Sequence, residues 1–195
     1  MSNLKIFLFL FLLSSLVVYL IPNVLSAYAL PIDEKEKEKA VKFCFETGET
    51  PPPFLQASNF APGNVAEGTL KIANCGEKKS KRFGLSLSYS FFDPKGDSEA
   101  ESFLSNITLI ELKIGKENDL LYRNLLSEVE DLNGNGVKDL HDLSLSPVSV
   151  KYKVEPCGEE SCEYHYLYIR VKFDESAGNE FQGDRVELNF TLMLG

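Results

Sequence analysis

The sequence predicts an all-β fold, an antiparallel β-sandwich with one short helix and a loop inserted. Apolar and polar residues alternate along about seven segments, as in strands that bury one face. Turn residues such as Pro and Gly separate these segments, and no repeat of 20–50 residues is visible. The chain has 195 residues, enough for one sizeable domain. Together these observations favour an antiparallel sandwich.

Residues 1–29 have the pattern of a secretion signal. Lys5 precedes an apolar run over residues 6–21, and residues 27–29 form a small-x-small cleavage pattern. An uncleaved membrane anchor is the alternative, but Pro22 interrupts the run before it reaches the length of a membrane span. We therefore expect a removed signal peptide, a secreted or cell-surface protein, and no stable membrane insertion after cleavage.

The acidic composition limits the possible partners. The full chain has 20 basic and 29 acidic residues, and loss of Lys5 with the signal leaves 19 against 29, a net charge of −10. Such a charge opposes binding to nucleic acid or anionic membranes and suits a soluble protein with cation sites.

Residues 30–58 form a leader to the sandwich domain, which we place at residues 59–195. A run of alternating charges is followed by Val41, Phe43 and Phe45, whose spacing predicts a short strand before the prolines at 51–53. The further strands are predicted around residues 70–72, 85–91, 107–114, 148–154, 167–173 and 186–192. Tyr164, Tyr166 and Tyr168 share the outward face of one strand, which is either a binding face or cross-strand packing.

An insertion at residues 118–145 departs from the strand pattern. Leu120, Leu121, Leu125 and Val129 fit helical spacing over 118–129, and Leu140 and Leu143 are spaced for a second short helix. Between them lies a 12-residue segment with the spacing of a calcium-binding loop, including Gly136 at its sharp turn. Its predicted ligands are Asp131, Asn133, Asn135, the backbone carbonyl of Val137, Asp139 and Asp142.

The alternative interpretation of this segment is an ordinary surface turn rich in Asn, Asp and Gly. Every ligand position is filled, however, and the donors are the hard oxygens that Ca²⁺ prefers. With three carboxylates and an Asp at the closing position, we expect weak binding, on the order of 10⁻⁵–10⁻³ M. The ion would then be a structural pin.

Four cysteines in a secreted chain allow three disulfide pairings. Cys157 and Cys162 flank a short hairpin-like tip, which leaves Cys44 to pair with Cys75. A zinc half-site at the first pair is the alternative, but the sequence shows no two further ligands for it. Two sequons, at Asn106 and Asn189, are candidate glycosylation sites.

Three segments resemble the camelysin/TasA family of secreted proteins. Residues 59–76, with Asn74-Cys-Gly76 at their end, are similar to an early strand and turn of that family. The loop at Asp131 resembles an insertion found in some members, and Gly178–Asp184 is similar to a closing motif, N-x-x-Q-G-D. The resemblance spans nearly the whole chain after the signal.

The resemblance implies a jelly-roll-like sandwich and a subunit of extracellular filaments, biofilm matrix or bundling pili. In filamentous members an N-terminal strand of one subunit completes the sheet of its neighbour. Val41, Phe43 and Phe45 would be the anchors of such a donor strand. A disulfide from Cys44 to Cys75 would then either link subunits or hold the strand in its own chain. An ordinary edge strand is therefore an equal expectation.

An enzyme is the less favoured interpretation, although camelysin itself is classed as a metalloprotease. A zinc protease normally has paired histidines on one helical face and a glutamate base. This chain has only His141 and His165 and no His-Glu-x-x-His motif. We expect no catalysis. The alternative to a filament subunit is a monomeric calcium-stabilised adhesin that binds glycans through its tyrosine face; a dockerin-like partner module, which would need a second loop, is less favoured.

Overall fold

The computed structural model describes residues 41–45, 52–57, 60–116, 122–159 and 161–195. The expected signal peptide and the charged part of the leader lie outside these residues. No helix in the described part of the chain is long and apolar enough to span a membrane.

Eight strands dominate the described chain, and all paired strands run antiparallel, so the all-β prediction is confirmed. In chain order they are β1 (Phe43–Phe45), β2 (Val65–Asn74), β3 (Arg82–Phe92), β4 (Ile107–Lys116), β5 (Arg123–Asn124), β6 (Val148–Lys151), β7 (His165–Phe173) and β8 (Arg185–Leu194). Two short α-helices, α1 (Ala100–Ser105) and α2 (Leu140–Leu145), and two 3₁₀ turns, Leu126–Glu128 and Asn179–Phe181, connect them.

The strands form two sheets with one hydrophobic core. One sheet has the order β1-β2-β7-β4-β5 and the other the order β6-β3-β8. In β7 the residues alternate strictly between buried and half-buried, because Leu167, Ile169 and Val171 face inward. Buried side chains of β3, such as Phe83 and Leu85, belong to the same core. The alternation in the sequence therefore identifies the inner face of each sheet correctly.

The prediction of a helix over 118–129 is wrong for residues 122–129, the part of that range that the structure describes. Residues 123–124 form β5 and residues 126–128 a 3₁₀ turn. Leu125 and Val129 are buried, as the helical spacing required, but from an irregular chain. The side chain of Asn124 accepts a hydrogen bond from the Leu126 amide at 2.9 Å, which favours a local turn over a helix. The second predicted helix is confirmed as α2.

The strand expected over 148–154 is shorter than predicted, because β6 ends at Lys151. Val154 instead bonds to the segment after β2. Its amide donates to Ser80 Oγ at 3.0 Å, and its carbonyl accepts from the Ser80 amide at 3.0 Å. Helix α1, for which the sequence pattern gave no signal, packs the ring of Phe103 against Phe173 and Phe181.

Candidate cation-binding loop

The insertion lies along the outer edge of β4 and closes that side of the sheet. Strand β5 pairs with Lys113 and Ile114, and further along the Leu109 amide donates to the Lys138 carbonyl at 2.8 Å. The register of β4 against β7 shifts between Leu109 and Glu111, so β4 bulges where the loop docks. A backbone hydrogen bond at its eighth position thus fixes the loop to the sheet.

Asp131 organises the first half of the loop. Its Oδ1 accepts hydrogen bonds from the amides of Gly134 and Asn135 at 2.8 and 3.2 Å, and its Oδ2 accepts from Gly136 at 2.9 Å. Gly134 and Gly136 have φ values of 73° and 87°, the left-handed region that favours glycine. The turn predicted at Gly136 is therefore present.

Asp139 and Asp142 organise the second half. Each accepts from the backbone amide of the other, at 2.9 and 3.1 Å, which forms a capping box at the start of α2. Asp142 Oδ1 also accepts from the amides of Leu132 and Asn133, at 2.8 and 3.2 Å. Asp142 thereby ties the beginning of the loop to its end. Its position matches the closing residue of a calcium loop.

The two asparagine side chains point toward Asp139. The Nδ2 atoms of Asn133 and Asn135 donate to Asp139 Oδ2 at 2.9 and 2.8 Å. Rotation of each amide by 180° would turn its oxygen to the same place, and that is the atom a cation would bind. The carboxylates of Asp131, Asp139 and Asp142 do not all approach within 4.8 Å of one another.

In the described part of the chain, N–H groups bind the carboxylates of the loop, and no cationic side chain pairs with them. Asp139 and Asp142 are 0% and 1% exposed, and no ion pair found among the described residues includes either of them or Asp131. The nearby Lys138 directs its Nζ to the carbonyl of Leu126, at 2.9 Å. Buried carboxylates close to one another are costly without a counter-charge. Oxygen donors, negative charge and a tight turn together suit a hard divalent cation.

The remaining predicted ligand, Val137, has an exposed side chain and donates its amide to Asn135 Oδ1 at 2.9 Å. His141, in α2, lies with its Nδ1 3.4 Å from Ser105 Oγ. Ser105 Oγ in turn accepts from Asn133 Nδ2 at 3.2 Å, a contact between α1 and the loop that the sequence did not indicate. Since α1 itself was not predicted, no local signal could have shown this contact.

His165 is the first residue of β7. It is 0% exposed, and its Nδ1 is 2.7 Å from the hydroxyl of Tyr152. Burial lowers the pKa of His165, and the neighbouring carboxylate of Glu163 offsets part of this effect. The inward position expected for His165 is confirmed, and packing against Tyr152 explains it.

The disulfides join the pairs expected from the sequence, Cys44 with Cys75 and Cys157 with Cys162. The sequence did not show that the two disulfides are neighbours: the sulfurs of Cys75 and Cys157 are 4.0 Å apart.

Of the two candidate glycosylation residues, Asn189 is exposed on the outer face of β8, and Asn106 is half-buried. The Asn106 amide donates to the Ser102 carbonyl at the end of α1.

The proposed donor-strand anchors are in β1 and just before it. Phe43 and Phe45 are half-buried with ring centroids 6.4 Å apart, and both pack against the core, while Val41 is half-buried. Strand β1 pairs with β2 of the same chain, with Cys44 opposite Ala73. The structure therefore shows an intramolecular edge strand, one of the two expectations.

The outer face of the five-stranded sheet carries the tyrosine row. Tyr168 donates its hydroxyl to Glu67 at 2.9 Å, and Lys113 lies over the Tyr168 ring at 4.7 Å. Lys71 lies over the ring of Tyr164 at 4.2 Å. These contacts cross between strands, as the packing alternative expected.

The family model described as camelysin metallo-endopeptidase matches residues 28–194, nearly the whole chain, and the chain belongs to this family. No curated protein matches the chain.

Proposed function

We propose that this member of the camelysin family is a secreted structural protein, a subunit of extracellular filaments or biofilm matrix built on a calcium-stabilised, jelly-roll-like sandwich. The observation that supports self-assembly most directly is the open edge of the three-stranded sheet. Strands recruit other strands at such edges, because unpaired backbone groups form hydrogen bonds there.

Strand β8 is this open edge. It is 10 residues long and, among the described strands, pairs only with β3. Its inward side chains, including Val186, Leu188 and Phe190, are only half-buried, whereas those of β7 are buried. A cavity of about 850 Å³ lies beside Val186 and Leu188 and continues to Phe60. Added chain would cover this apolar surface.

Strand β1 is the segment best placed to exchange between subunits. It is three residues long, lies at the edge of the five-stranded sheet, and makes three residue pairs with β2. Phe43 and Phe45 are the side chains that a neighbouring subunit would receive. Exchange onto β2 of a neighbouring subunit, in the register that β1 has in its own chain, would join Cys44 of one subunit to Cys75 of the next. The filament would then be covalently linked, and the edge at β8 would stay available for a second contact between strands.

Electron microscopy of the mature protein, residues 30–195, tests assembly, and non-reducing gel electrophoresis tests exchange. We expect filaments, and a ladder of multimers that collapses to monomer when reductant is added. Filaments that dissolve to monomer without reductant would show that β1 stays in its own chain. An absence of filaments, with and without calcium, would contradict the structural function itself.

A pair of deletions locates the donor segment. Deletion of residues 30–46, combined with Cys75→Ser so that no thiol is left unpaired, should abolish assembly. Deletion of residues 30–39 is the matched control, since it removes the charged leader but keeps Val41, Phe43 and Phe45. Equal loss of filaments in both variants would assign assembly to the leader and contradict donation by the anchors.

Calcium is the proposed cofactor, held by Asp131, Asn133, Asn135, Val137, Asp139 and Asp142. Its role would be to neutralise the buried carboxylates and to hold the insertion against β4. Because the amides now bonded to Asp139 must turn, we expect binding to reorder the loop locally. The ion serves stability in this proposal and takes no part in a reaction.

A monomeric adhesin that binds glycans through the tyrosine face is the second candidate. Aromatic rings on an outer sheet face favour it, but Tyr164 and Tyr168 are already covered in part by lysines. Glycan-array binding by a protein that stays monomeric in light scattering would favour this candidate over the filament.

The family's description as a metallo-endopeptidase calls for a test of zinc-protease chemistry in this chain. Such a centre needs three clustered nitrogen or oxygen ligands with one open position. The chain has two histidines, and among the described residues neither belongs to a group of three candidate ligands. His165 bonds to Tyr152 through Nδ1 and faces the Glu163 carboxylate with Nε2 at 3.5 Å, and His141 lies beside Ser105. The described residues do not fit a protease zinc, and we propose a non-enzymatic function.

A further inference from the structure

The four cysteines converge at one end of the five-stranded sheet. The sulfurs of Cys44, Cys75 and Cys157 all lie within 4.8 Å of one another, and those of Cys75 and Cys157 are 4.0 Å apart. Cys162 is bonded to Cys157, with the two Cα atoms 4.3 Å apart. Two disulfides far apart in the sequence thus form a single sulfur cluster.

The backbone around this cluster is held by contacts that do not depend on the disulfides. The Cys75 amide donates to the Lys42 carbonyl at 2.7 Å, and the Cys157 amide donates to the Asn74 carbonyl at 2.8 Å. A parallel bridge pairs Asn74 with Pro156. The segments that carry Cys44, Cys75 and Cys157 are therefore joined by main-chain hydrogen bonds.

Asn74 is the centre of this arrangement. Its side chain is 0% exposed, and Nδ2 donates to the carbonyls of Lys78 and Val154, at 2.8 and 3.2 Å. Its Oδ1 accepts from the amides of Lys42 and Gly76, at 3.3 and 3.0 Å. One buried amide thereby fixes three chain segments, so their cysteines should stay together when the disulfides open.

We propose that, in the reduced chain, Cys44, Cys75, Cys157 and Cys162 form a tetrathiolate site for one zinc-type divalent cation. Zinc bonds to thiolate at about 2.3 Å in a tetrahedron, which places the sulfurs about 3.8 Å apart. The separation of Cys75 and Cys157 is already close to this value. A zinc half-site at Cys157 and Cys162 has no two further ligands near it in the sequence. In the fold, the cysteines of the other disulfide, Cys44 and Cys75, supply them.

The disulfide-bonded chain and the metal-bound chain exclude each other, because they differ by the electrons that reduce the two disulfides. A dithiol reductant gives each disulfide two electrons and two protons and itself becomes a disulfide; with a phosphine, phosphorus gives the two electrons, water gives the two protons, and the oxygen of that water leaves as phosphine oxide. Either way each disulfide becomes two thiols. The cation then binds the thiolates and releases their protons. The oxidised chain holds two disulfides and no metal at this cluster, and the reduced chain holds one cation. This site is separate from the calcium loop and does not rest on the proposed function.

Cobalt(II) titration of the reduced protein tests the site, because cobalt replaces zinc and reports its ligands by colour. We expect one cobalt per chain, sulfur-to-cobalt charge-transfer bands in the near ultraviolet, visible bands of a tetrahedral site, and bleaching by zinc. All four thiols should become unreactive to a thiol reagent once zinc is bound. The oxidised protein should give no such spectrum.

Variants separate this site from incidental binding. Cys157→Ser should weaken cobalt binding at least roughly tenfold, while Asp131→Asn, in the calcium loop, should leave the spectrum unchanged. Cys162→Ser keeps three clustered thiolates and the Cys44–Cys75 pair for folding; it should still bind cobalt, with altered bands. Asn74→Ala keeps all four thiols and should bind more weakly if Asn74 positions them.

Three results would overturn the proposal. One is a reduced protein that gives no charge-transfer band with cobalt, whether or not it remains folded. A second is a cobalt spectrum whose sulfur-to-cobalt charge-transfer bands correspond to only two thiolate ligands. A third is full retention of the spectrum in Cys157→Ser.

Discussion

Replacing Asp131 by asparagine gives the sharpest test of the cation-binding loop. The change removes one charge and keeps the shape of the side chain. Asp131 accepts three backbone N–H bonds, and an asparagine oxygen can keep those from Gly134 and Asn135. We therefore expect the calcium-free variant to lose only the bond from Gly136, about 1 kcal/mol or less in an exposed loop.

The stabilisation that calcium gives to the folded wild-type protein should be larger than this loss. A dissociation constant of about 10⁻⁴ M lies in the range expected for the loop, and 10 mM calcium would then stabilise the folded state by about 2.7 kcal/mol. For a domain of this size, each kcal/mol raises Tm by about 2–4 °C, so the total shift is about 5–11 °C. Asp131→Asn should abolish most of it.

Differential scanning calorimetry in 10 mM calcium and in excess chelator measures both quantities. Glu130→Gln is the matched control, because it removes the same charge at the preceding exposed residue without touching a predicted ligand position. The control should keep the full calcium shift. A wild-type Tm that does not respond to chelator, or an Asp131→Asn variant that responds as the wild type does, would refute the reasoning.

Three further predictions concern the rest of the fold. Burial lowers the pKa of His165 below its ordinary 6.5, so the neutral side chain contributes fully to stability above that pH and less as the pH falls below it. Urea titrations at pH 7.5 and 5.5 should show a lower free energy of unfolding at pH 5.5. His165→Gln should reduce this difference. Phe54→Ala removes an edge-to-face contact with Phe190 at 5.0 Å and should lower the free energy of unfolding by about 1–3 kcal/mol; an unchanged urea midpoint would contradict that contact. Mass mapping under non-reducing conditions should find Cys157 linked to Cys162, and a free thiol at either would refute the pairing.

The sequence predicts those features whose causes are local. Alternation along β7 identifies its inward face, since successive side chains point to opposite sides of a strand. The spacing from Asp131 to Asp142 likewise predicts a tight turn and a helix start, because the bonds that form them lie within 12 residues. Such patterns need no knowledge of the distant chain.

Features that depend on distant contacts are missed. Leu125 and Val129 fit helical spacing, but both are buried by an irregular segment held along the edge of β4. The bond from Asn74 to Val154 joins residues 80 positions apart, and nothing local to either residue indicates it. For the same reason the sequence gives the two disulfide pairs without showing that they touch.

Donor chemistry separates the two proposed metal sites within one chain. The loop offers only oxygen, which suits calcium and binds soft metals weakly, whereas the cluster at Cys75 and Cys157 offers only sulfur, which suits zinc and cobalt. The redox state adds a second separation, because oxidation removes the sulfur ligands and leaves the loop intact. Asp131→Asn should therefore abolish most of the calcium-dependent stability of the oxidised protein and leave the cobalt spectrum of the reduced protein in place. Loss of the cobalt spectrum in Asp131→Asn would contradict the independence of the two sites.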